Sequence, residues 1–451
     1  MKIPLKPRDL SDLLETIPQR SHAHRLWEII KIPIGPAPGG KYLHWDHVFH
    51  RDPPADLTPE EWWLAIKLAR NHLYQELPFE DRDGNAFKYA LPEGILRQLH
   101  LVDRKASGTI GASEKVTSPE GRNTYLLRSL VEEAITSSQL EGAATTRNDA
   151  KEMLRLGRKP RDRGEQMIYN NYRAMRSIRD QNNGPLTPEF ILELQRILTE
   201  NAIDDPTAAG RFRRPDENVE VYDEEGQLLH TPPKATELPN RIQRLCDFAN
   251  ESTETTFTHP VVRAIVLHFL LGYDHPFVDG NGRTARALFY WSMKRSEYWL
   301  CEYLSISRIL RKAPAQYARS FLYTETDDND VTYFIEYQLR VILRAIDELH
   351  AYLDRKALQL KETEILLRKR LSVWRKINHR QIAVLNHAVK HPHFQYTFES
   401  HKGSNHIAYQ TARTDLLELV KLGFLDQVKR GRKLVFVAPP DLRQRIETAT
   451  E

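Results

Sequence analysis

The sequence is poor in the features that mark secreted, membrane-spanning or disulfide-rich proteins. It has only two cysteines, Cys246 and Cys301, far apart and without metal-ligand spacing, so we expect no disulfide framework. Residues 1–30 contain no apolar core of a secretory signal. The most apolar run, VVRAIVLHFLLGY, is too short to span a bilayer and carries Arg263 and His268. These features predict a cytoplasmic protein with no membrane partner.

The remaining composition is typical of a globular chain. The 451 residues, 40% hydrophobic and 28% charged, suffice for roughly two to four domains. The net charge of +4 is uneven, because residues 361–451 hold 17 Lys and Arg against 9 Asp and Glu. The C-terminal segment is therefore the one place where charge indicates nucleic acid.

The spacing of apolar residues predicts a mainly α fold. Residues 1–58 are rich in proline and glycine, and helical patterning begins near Pro59 and extends to about Leu77. Further helices are predicted from about residue 123 to Gly142, at 164–182 and 186–202, from Pro260, from Asn281 and over roughly 332–372. At 219–233, short alternating runs flank the acidic turn DEEG, which predicts a small hairpin.

The C-terminal segment predicts a different arrangement. A short helix, a second helix from Ala408 to Gly423 and two strands around the basic turn KRGRK follow the order of a winged helix-turn-helix. Such a module would contact DNA through its second helix and its wing tip, that is, through Gln410, Thr411, Arg413, Thr414, Lys429, Arg430, Arg432 and Lys433. In the alternative interpretation, the module docks on a partner protein or on a second copy of the chain, and a homodimer remains open.

The stretch HPFVDGNGRTAR, His275–Arg286, concentrates groups that bind phosphate. Gly280 and Gly282 allow a tight turn and close approach of a ligand. Backbone amides at the start of the following helix form an anion-binding site. Arg283 and Arg286, three residues apart, share one helix face and can each donate two hydrogen bonds to phosphate oxygens.

Two further side chains of this stretch add chemistry to the cradle. Asp279 is a carboxylate that can hold a divalent cation between phosphates. His275 titrates near neutral pH and can take a proton from a hydroxyl. Together the stretch predicts a polyphosphate cradle with a base at its rim.

The same stretch resembles the Fic (Fido) domain family. It fills every fixed position of the motif HPFx(D/E)GNGRxxR, and the resemblance extends over roughly residues 120–345, including the hairpin that ends in HTPP. The resemblance implies an all-helical Fic core with a small β-hairpin flap. It also implies transfer of AMP from ATP to a Ser, Thr or Tyr hydroxyl of a protein, including the chain itself. The Doc branch, which phosphorylates instead, has lysine where this chain has Gly282.

The resemblance also implies a role for each motif residue. His275 would be the base, Asp279 would hold Mg²⁺, and Phe277 would anchor the loop in the core. Gly280, Asn281 and Gly282 would bind the α-phosphate. Arg283 and Arg286 would bind the β- and γ-phosphates. Tyr317 would pack on the adenine, or else be a plain core tyrosine. The target would dock on the flap through Val221, Leu229 and His230, unless this is an ordinary surface hairpin.

A second motif predicts control of the first. Glu141 lies in the last turn of its helix, where the dipole disfavours an anion, so we expect a cationic partner. Ser137, Glu141 and Gly142 resemble the Fic inhibitory motif (S/T)xxxE(G/N), which implies that Glu141 pairs with Arg286 and hinders productive binding of ATP. Two alternatives remain: a hydrolase that removes AMP, or a DNA-binding regulator that uses the domain as a nucleotide sensor. The intact His275 argues against pure sensing, because a sensor needs no base.

These patterns predict five segments along the chain: an N-terminal family-specific helical region at 1–115, a helical region with the inhibitory motif 137–142 at 116–185, a Fic catalytic domain at 186–345, a connector helix at 346–372 and a winged helix-turn-helix at 373–451.

Overall fold

The computed structural model describes residues 2–20, 24–106, 119–180, 184–250, 257–368, 377–391, 394–430 and 433–448, and these are mainly helical. Strands in this described part form only two hairpins and one three-stranded antiparallel sheet. This confirms the predicted mainly α fold with a small hairpin. Within the described residues, no helix is both long and apolar enough to cross a membrane. Cys246 and Cys301 are both buried and unbonded to each other.

The helices and strands are numbered here in chain order. The α-helices are α1 Leu10–Arg20, α2 Arg25–Lys31, α3 Trp45–Val48, α4 Pro59–Asn71, α5 Glu93–Ala106, α6 Pro119–Leu140, α7 Arg147–Leu156, α8 Arg163–Asp180, α9 Pro188–Thr199, α10 Leu238–Asn250, α11 Pro260–Asp274, α12 Asn281–Arg295, α13 Ile306–Leu310, α14 Pro314–Thr326, α15 Thr332–Arg368, α16 His379–Lys390, α17 Phe398–Asn405, α18 Tyr409–Lys421 and α19 Leu442–Thr448. The strands are β1 Tyr74–Glu80, β2 Ala86–Ala90, β3 Val221–Tyr222, β4 Leu228–His230, β5 Gln395–Tyr396, β6 Asp426–Arg430 and β7 Lys433–Val437.

The chain divides into two compact units, and each is described by itself. The larger unit takes its residues from Met1–Gly108, Glu132–Ala144 and Asp162–Ile346. The smaller unit takes them from Thr109–Val131, Thr145–Arg161 and Asp347–Glu451. Helices α6 and α15 contribute residues to both units. The division into five segments remains a prediction.

The N-terminal part of the larger unit contains helices earlier than the apolar pattern predicts. Helices α1, α2 and α3 all precede Pro59, and they pack with α4 in a cluster that includes Leu13, Ile29, Val48 and Trp63. Helices of 4 to 11 residues are too short for a repeated apolar spacing to become visible.

The hairpin β1–β2 was not predicted, because the helix before it was expected to extend to about Leu77. Helix α4 instead ends at Asn71, and the chain continues into β1, which pairs with β2 around a turn at residues 81–85. Leu77 and Phe79 are buried while their neighbours are exposed. This period of two is the pattern of a strand, but it covers too few residues to be distinguished from the end of a helix.

Helices α11 and α12 form the centre of the larger unit. Pro260 occupies the first turn of α11, and every residue from Val261 to Leu271 is buried. Helices α8 and α9 pack against α12. Helix α11 therefore has no polar face, and the loop between it and α12 is held on a rigid, buried pair of helices.

The hairpin predicted at 219–233 is confirmed as the pair β3 and β4. Val221 lies opposite His230 and Tyr222 opposite Leu228, with an irregularity between the two pairs. We call residues 219–233 the flap. The hairpin is short, so residues outside the two strands must fix its position on the larger unit.

The smaller unit ends in a module of helices and strands, residues 377–448. Helices α16, α17 and α18 and the sheet β5–β7–β6 share a core that includes Leu385, Leu416 and Phe436. Helices α16 and α18 and strands β6 and β7 lie where the sequence predicts them, whereas α17 and β5 were not predicted. Helix α17 was missed because its sequence, FESHKGSN, has few apolar residues. The helix begins instead with a capping box between Thr397 and Ser400.

Candidate active site

The site begins where helix α11 ends. His275 caps this helix in the left-handed conformation, with φ 45° and ψ 56°, and its N–H donates to Leu271 O at 3.2 Å. A residue with a side chain pays roughly 1–2 kcal/mol for this conformation. Surrounding contacts must therefore hold the backbone of His275 in place.

The imidazole of His275 has a defined orientation. Its Nδ1 lies 2.9 Å from the carbonyl oxygen of Gly272. Because a carbonyl only accepts, Nδ1 carries the proton in the neutral ring, and Nε2 keeps its lone pair. Burial lowers the pKa of His275 below its ordinary value. His275 is thus suited to accept a proton at Nε2 near neutral pH.

The loop after His275 is shaped by Phe277, Gly280 and Asn281. Phe277 is fully buried, as predicted for an anchor. The side chain of Asn281 accepts from Phe277 N at 2.9 Å and donates to Phe277 O at 2.7 Å, so both its polar atoms hold the loop. Gly280 has φ 88°, and a Cβ there would lie 2.9 Å from the Thr199 methyl. Only glycine fits this turn without strain.

The start of helix α12 is the anion-binding end of the site. Its first intrahelical bond runs from Thr284 N to Gly280 O at 2.9 Å, so the preceding amides point out of the helix end. Arg283 is buried and donates to Leu198 O at 2.9 Å and to Asp279 Oδ1 at 2.8 Å. These contacts fix the guanidinium and the carboxylate beside the open amides.

Arg286 is bound by helix α6 through three hydrogen bonds. It donates to Ser137 Oγ at 2.9 Å, to Ser137 O at 3.1 Å and to Glu141 Oε1 at 2.9 Å. Its remaining nitrogen, Nη1, is buried without a hydrogen-bond partner among the described residues. That atom lies 3.0 Å from where a Cβ on Gly282 would be, which directs it towards the open amides.

Glu141 reaches the same helix end. Its side chain is 30% exposed, and a Cβ added to Gly282 would overlap its Oε1. The carboxylate is therefore at the unfavourable end of its own helix but at the favourable, N-terminal end of α12. Gly142 has φ +91° and ends the turn after α6. The structure thus brings Ser137, Glu141 and Arg286 together.

Tyr317 has contacts that a core tyrosine would have. Its hydroxyl lies 2.8 Å from His268 Nε2, and its ring packs near Phe321 and Phe334. Burial raises the pKa of Tyr317, and it lowers the pKa of His268 to about 3. Stacking of Tyr317 on an adenine remains a prediction.

The flap residues differ in how they face the protein. Val221 and Leu229 are half-buried, whereas His230 is buried. The His230 ring lies 2.7 Å from Tyr273 O through Nε2 and 2.8 Å from Glu325 Oε2 through Nδ1. His230 therefore ties the flap to the end of helix α11, and a docking role for it remains a prediction.

Asp279 has the chemistry expected of a Mg²⁺ ligand. It is 31% exposed, and Mg²⁺ is usually held by one or two carboxylates together with substrate phosphates. No group of three or more His, Cys, Asp or Glu side chains that could hold a metal occurs within the described ranges. The residues present fit a cation that is shared with a phosphate ligand.

Two arginines at the site were missed by sequence reasoning. Arg163 places Nη2 at 3.9 Å from Asp279 Oδ2, and Arg213 donates from Nε to His275 O at 2.9 Å. Neither belongs to the motif, and no local pattern marks them. Only the folded chain brings them to the loop.

The residues predicted to contact DNA belong to the smaller unit. Gln410 and Arg413 are exposed and Thr411 is half-buried on α18, while Lys429 is exposed on β6. Arg430 and Lys433 are described only in their backbone. Arg432 lies outside the described residues.

Comparison with known proteins gives the class. Residues 185–293 match the model of the Fic/DOC family. The chain is 36% identical over 113 residues to "Protein adenylyltransferase Fic" of Drosophila willistoni, covering 25% of this chain and 20% of that protein. It is 34% identical over 122 residues to "Protein adenylyltransferase fic-1" of Caenorhabditis elegans, covering 27% and 22%. The chain thus contains a Fic domain, and it matches about a fifth of the length of these curated relatives.

Two solved structures also match over most of the chain. A Fic family protein from Desulfovibrio desulfuricans G20 has a TM-score of 0.49 at 17% identity, covering 80% of this chain and 99% of that one. A fragment of Fic-1 from C. elegans has a TM-score of 0.48 at 20% identity, covering 78% and 90%.

Proposed function

We propose that the chain is a protein adenylyltransferase that moves AMP from ATP to a Ser, Thr or Tyr hydroxyl of a protein. The observation that carries the proposal is a neutral imidazole, with Nε2 unprotonated, joined by the short loop 276–280 to the amide end of helix α12. The names of the curated relatives support the same reaction.

Each step of the reaction has a residue to carry it. His275 Nε2 takes the proton of the target hydroxyl, whose oxygen then bonds to the α-phosphorus while the bond to pyrophosphate breaks. The amides at Asn281 and Gly282 stabilise the charge that develops on the α-phosphate oxygens, while the Gly280 amide donates to Asp279 Oδ1. Arg283 and Arg286 hold the outer phosphates. Asp279 would hold Mg²⁺, which neutralises phosphate charge when bound.

We further propose that Glu141 inhibits this reaction. Its carboxylate pairs with Arg286 and lies against Gly282, so it competes with a phosphate for the same donors. A hydrogen bond to a charged group contributes about 1.5–3 kcal/mol, which corresponds to roughly ten- to hundredfold weaker productive binding of ATP. Because Ser137 also binds Arg286, removal of Glu141 alone leaves this arginine positioned rather than free.

The test uses wild type, Glu141→Gly and His275→Ala with Mg²⁺ and ATP labelled at the α- or the γ-phosphate. Mass spectrometry of the protein should detect AMP on Glu141→Gly, less on wild type, and none on Glu141→Gly that also carries His275→Ala. Transfer of the γ-phosphate instead would contradict the proposal. Release of AMP from a modified protein, without transfer, would favour the hydrolase.

For residues 377–448 we propose a winged helix-turn-helix that binds DNA. The support is the exposed polar face of α18, with Gln410 and Arg413, and the exposed Lys429 on β6. Phosphate contacts predict that affinity of the full chain for duplex DNA falls steeply with salt, and that Arg413→Ala and Lys429→Ala each weaken it. Binding that is absent at low salt would instead favour docking on a protein.

A further inference from the structure

We propose that Arg213 is a positioning residue for His275. Its hydrogen bonds hold the backbone at His275 in a fixed position relative to the end of the flap. The inference rests on the proposed adenylyl transfer, because it assigns Arg213 a role within that reaction. Arg213 lies outside the motif and contacts backbone atoms rather than the reacting groups.

Arg213 is buried, with 8% of its surface exposed, and it bonds both to the start of the loop after α11 and to the end of the flap. Its Nε donates to His275 O at 2.9 Å, and its own backbone N–H donates to Pro276 O at 2.9 Å. Its Nη2 donates to Pro233 O at the end of the flap. One side chain therefore connects the peptide that follows the base to the segment that follows β4.

These bonds complete a helix end that would otherwise be unsatisfied. The last carbonyls of a helix have no partner within it. At the end of α11, Gly272 O accepts from the His275 ring, Tyr273 O lies 2.7 Å from His230 Nε2, and His275 O accepts from Arg213. Two of these three carbonyls are bound by residues of the flap or of the segment before it. The left-handed backbone of His275 is thus held in place largely from the flap side.

The guanidinium contributes both geometry and charge. A planar guanidinium can donate to two acceptors in fixed directions, which a lysine ammonium on a flexible stem cannot reproduce. The charged groups that act on His275 are His230, Glu141 and Arg213. Arg213 and His230 oppose protonation of His275, whereas Glu141 favours it. A lysine at this position keeps the positive charge but cannot donate to two acceptors in fixed directions. A glutamine loses the charge as well.

The experiment compares Arg213→Lys and Arg213→Gln with Arg214→Gln, which removes an exposed neighbouring cation, all in the Glu141→Gly background. Both Arg213 variants should lower kcat for AMP transfer by about a hundredfold at nearly unchanged KM for ATP, because a shift of about 1 Å in a catalytic group has an effect of this size. The acid limb of the pH profile should move to higher pH in Arg213→Gln only. Arg214→Gln should match the background.

Several outcomes would overturn the proposal. The proposal fails if Arg213→Lys, shown to be folded by its thermal melting curve, keeps kcat within about twofold of the Arg214→Gln control, since a hundredfold change is expected. If Glu141→Gly itself transfers no AMP, the proposed function fails, and NMR titration of His275 decides the inference separately. Arg213→Gln should then raise the pKa of His275 relative to Arg214→Gln, and an equal pKa contradicts the role of Arg213. If glutamine prevents folding, the kcat of Arg213→Lys alone decides.

Discussion

His275 combines an unfavourable backbone conformation with a fixed ring, and its environment sets its pH response. Burial lowers the pKa of the imidazole, with Arg213 and His230 acting in the same direction. The neutral form, which acts as the base, therefore persists below the ordinary histidine value of about 6.5.

We expect the rate of AMP transfer by Glu141→Gly to stay level as pH falls through about 6.5 and to decline only at lower pH. A profile of kcat/KM against pH measures this, with thermal melting at each pH as the control for unfolding. A midpoint above the ordinary histidine value would contradict the assignment of His275 as the base.

Because Gly282 has no side chain, the Glu141 carboxylate can occupy the space that a Cβ at position 282 would fill. The φ of Gly282 is not in the left-handed region, so alanine is permitted by the backbone. Within a helix, alanine is normally favoured over glycine by about 0.8–1 kcal/mol.

Gly282→Ala should therefore destabilise wild type more than the Glu141→Gly variant, in which the new Cβ still lies 3.0 Å from Arg286 Nη1 but no longer overlaps a carboxylate. Urea unfolding of the four proteins in this cycle should give a coupling free energy of at least about 1 kcal/mol. Additive effects of the two substitutions would mean that the carboxylate does not lie against Gly282.

Glu133 and Ser137 of helix α6 and Glu141, the residue that follows it, form one polar stripe at spacings of four residues. Glu133 is buried and accepts from Ser305 Oγ at 2.9 Å and from Ser307 N at 3.2 Å. Burial raises the pKa of Glu133. The helix is thus attached to residues 305–307 at one end of the stripe and to Arg286 at the other.

Loosening the attachment at Glu133 should release part of the proposed inhibition. Glu133→Gln replaces one acceptor oxygen by a donor opposite Ser305 and Ser307, so we expect tighter ATP binding by roughly two- to tenfold, within the range of one such hydrogen bond. Calorimetric titration with ATP measures it, and Glu132→Gln, one residue along the same helix, is the matched control. Equal affinity in the two variants would confine the inhibition to Ser137 and Glu141.

At the scale of the larger unit, the N-terminal residues and the segment 327–333 are bonded through buried charges. Lys67 Nζ donates to Asp327 Oδ1 at 2.8 Å, and both side chains are almost fully buried. Tyr42 and Tyr74 donate to Asp330 Oδ2 at 2.7 and 2.9 Å. The segment that carries Tyr42, Lys67 and Tyr74 is therefore part of the fold that carries the site.

Removing one partner of this buried pair should be costly. Asp327→Asn leaves the Lys67 ammonium poorly compensated, and we expect a loss of about 3–5 kcal/mol in the free energy of unfolding. Asp328→Asn removes the other, 44% exposed, partner of Lys67 and should change it by less than about 1 kcal/mol. Urea unfolding compares the two, and similar losses would contradict the role of the buried pair.

The same pair predicts the pH at which the larger unit loses stability. Burial, the largest single effect, raises the pKa of the Asp327 carboxyl, but Lys67, His44 and Arg70 together outweigh it and lower the pKa. The contribution is therefore present above about pH 4 and is lost as pH falls further.

The sequence predicted what is local along the chain. The helices α11 and α12, the loop between them and the flap follow from periodicity and turn residues within short windows. The contact of Glu141 with Arg286, far away in the chain, followed only from a family resemblance. The bonds of Arg213, of Glu133 and of Asp327 join distant segments without a repeated pattern, so no window of sequence contains them.

The Glu141 carboxylate lies where a side chain at position 282 would be, so the residue types at these two positions constrain each other among relatives of this chain. Where the position of Gly282 carries any side chain, a glutamate at the position of Glu141 has no room beside it, and selection to keep that glutamate is relaxed. The two positions should therefore change together across an alignment of homologues, although they lie on different helices and far apart in the chain.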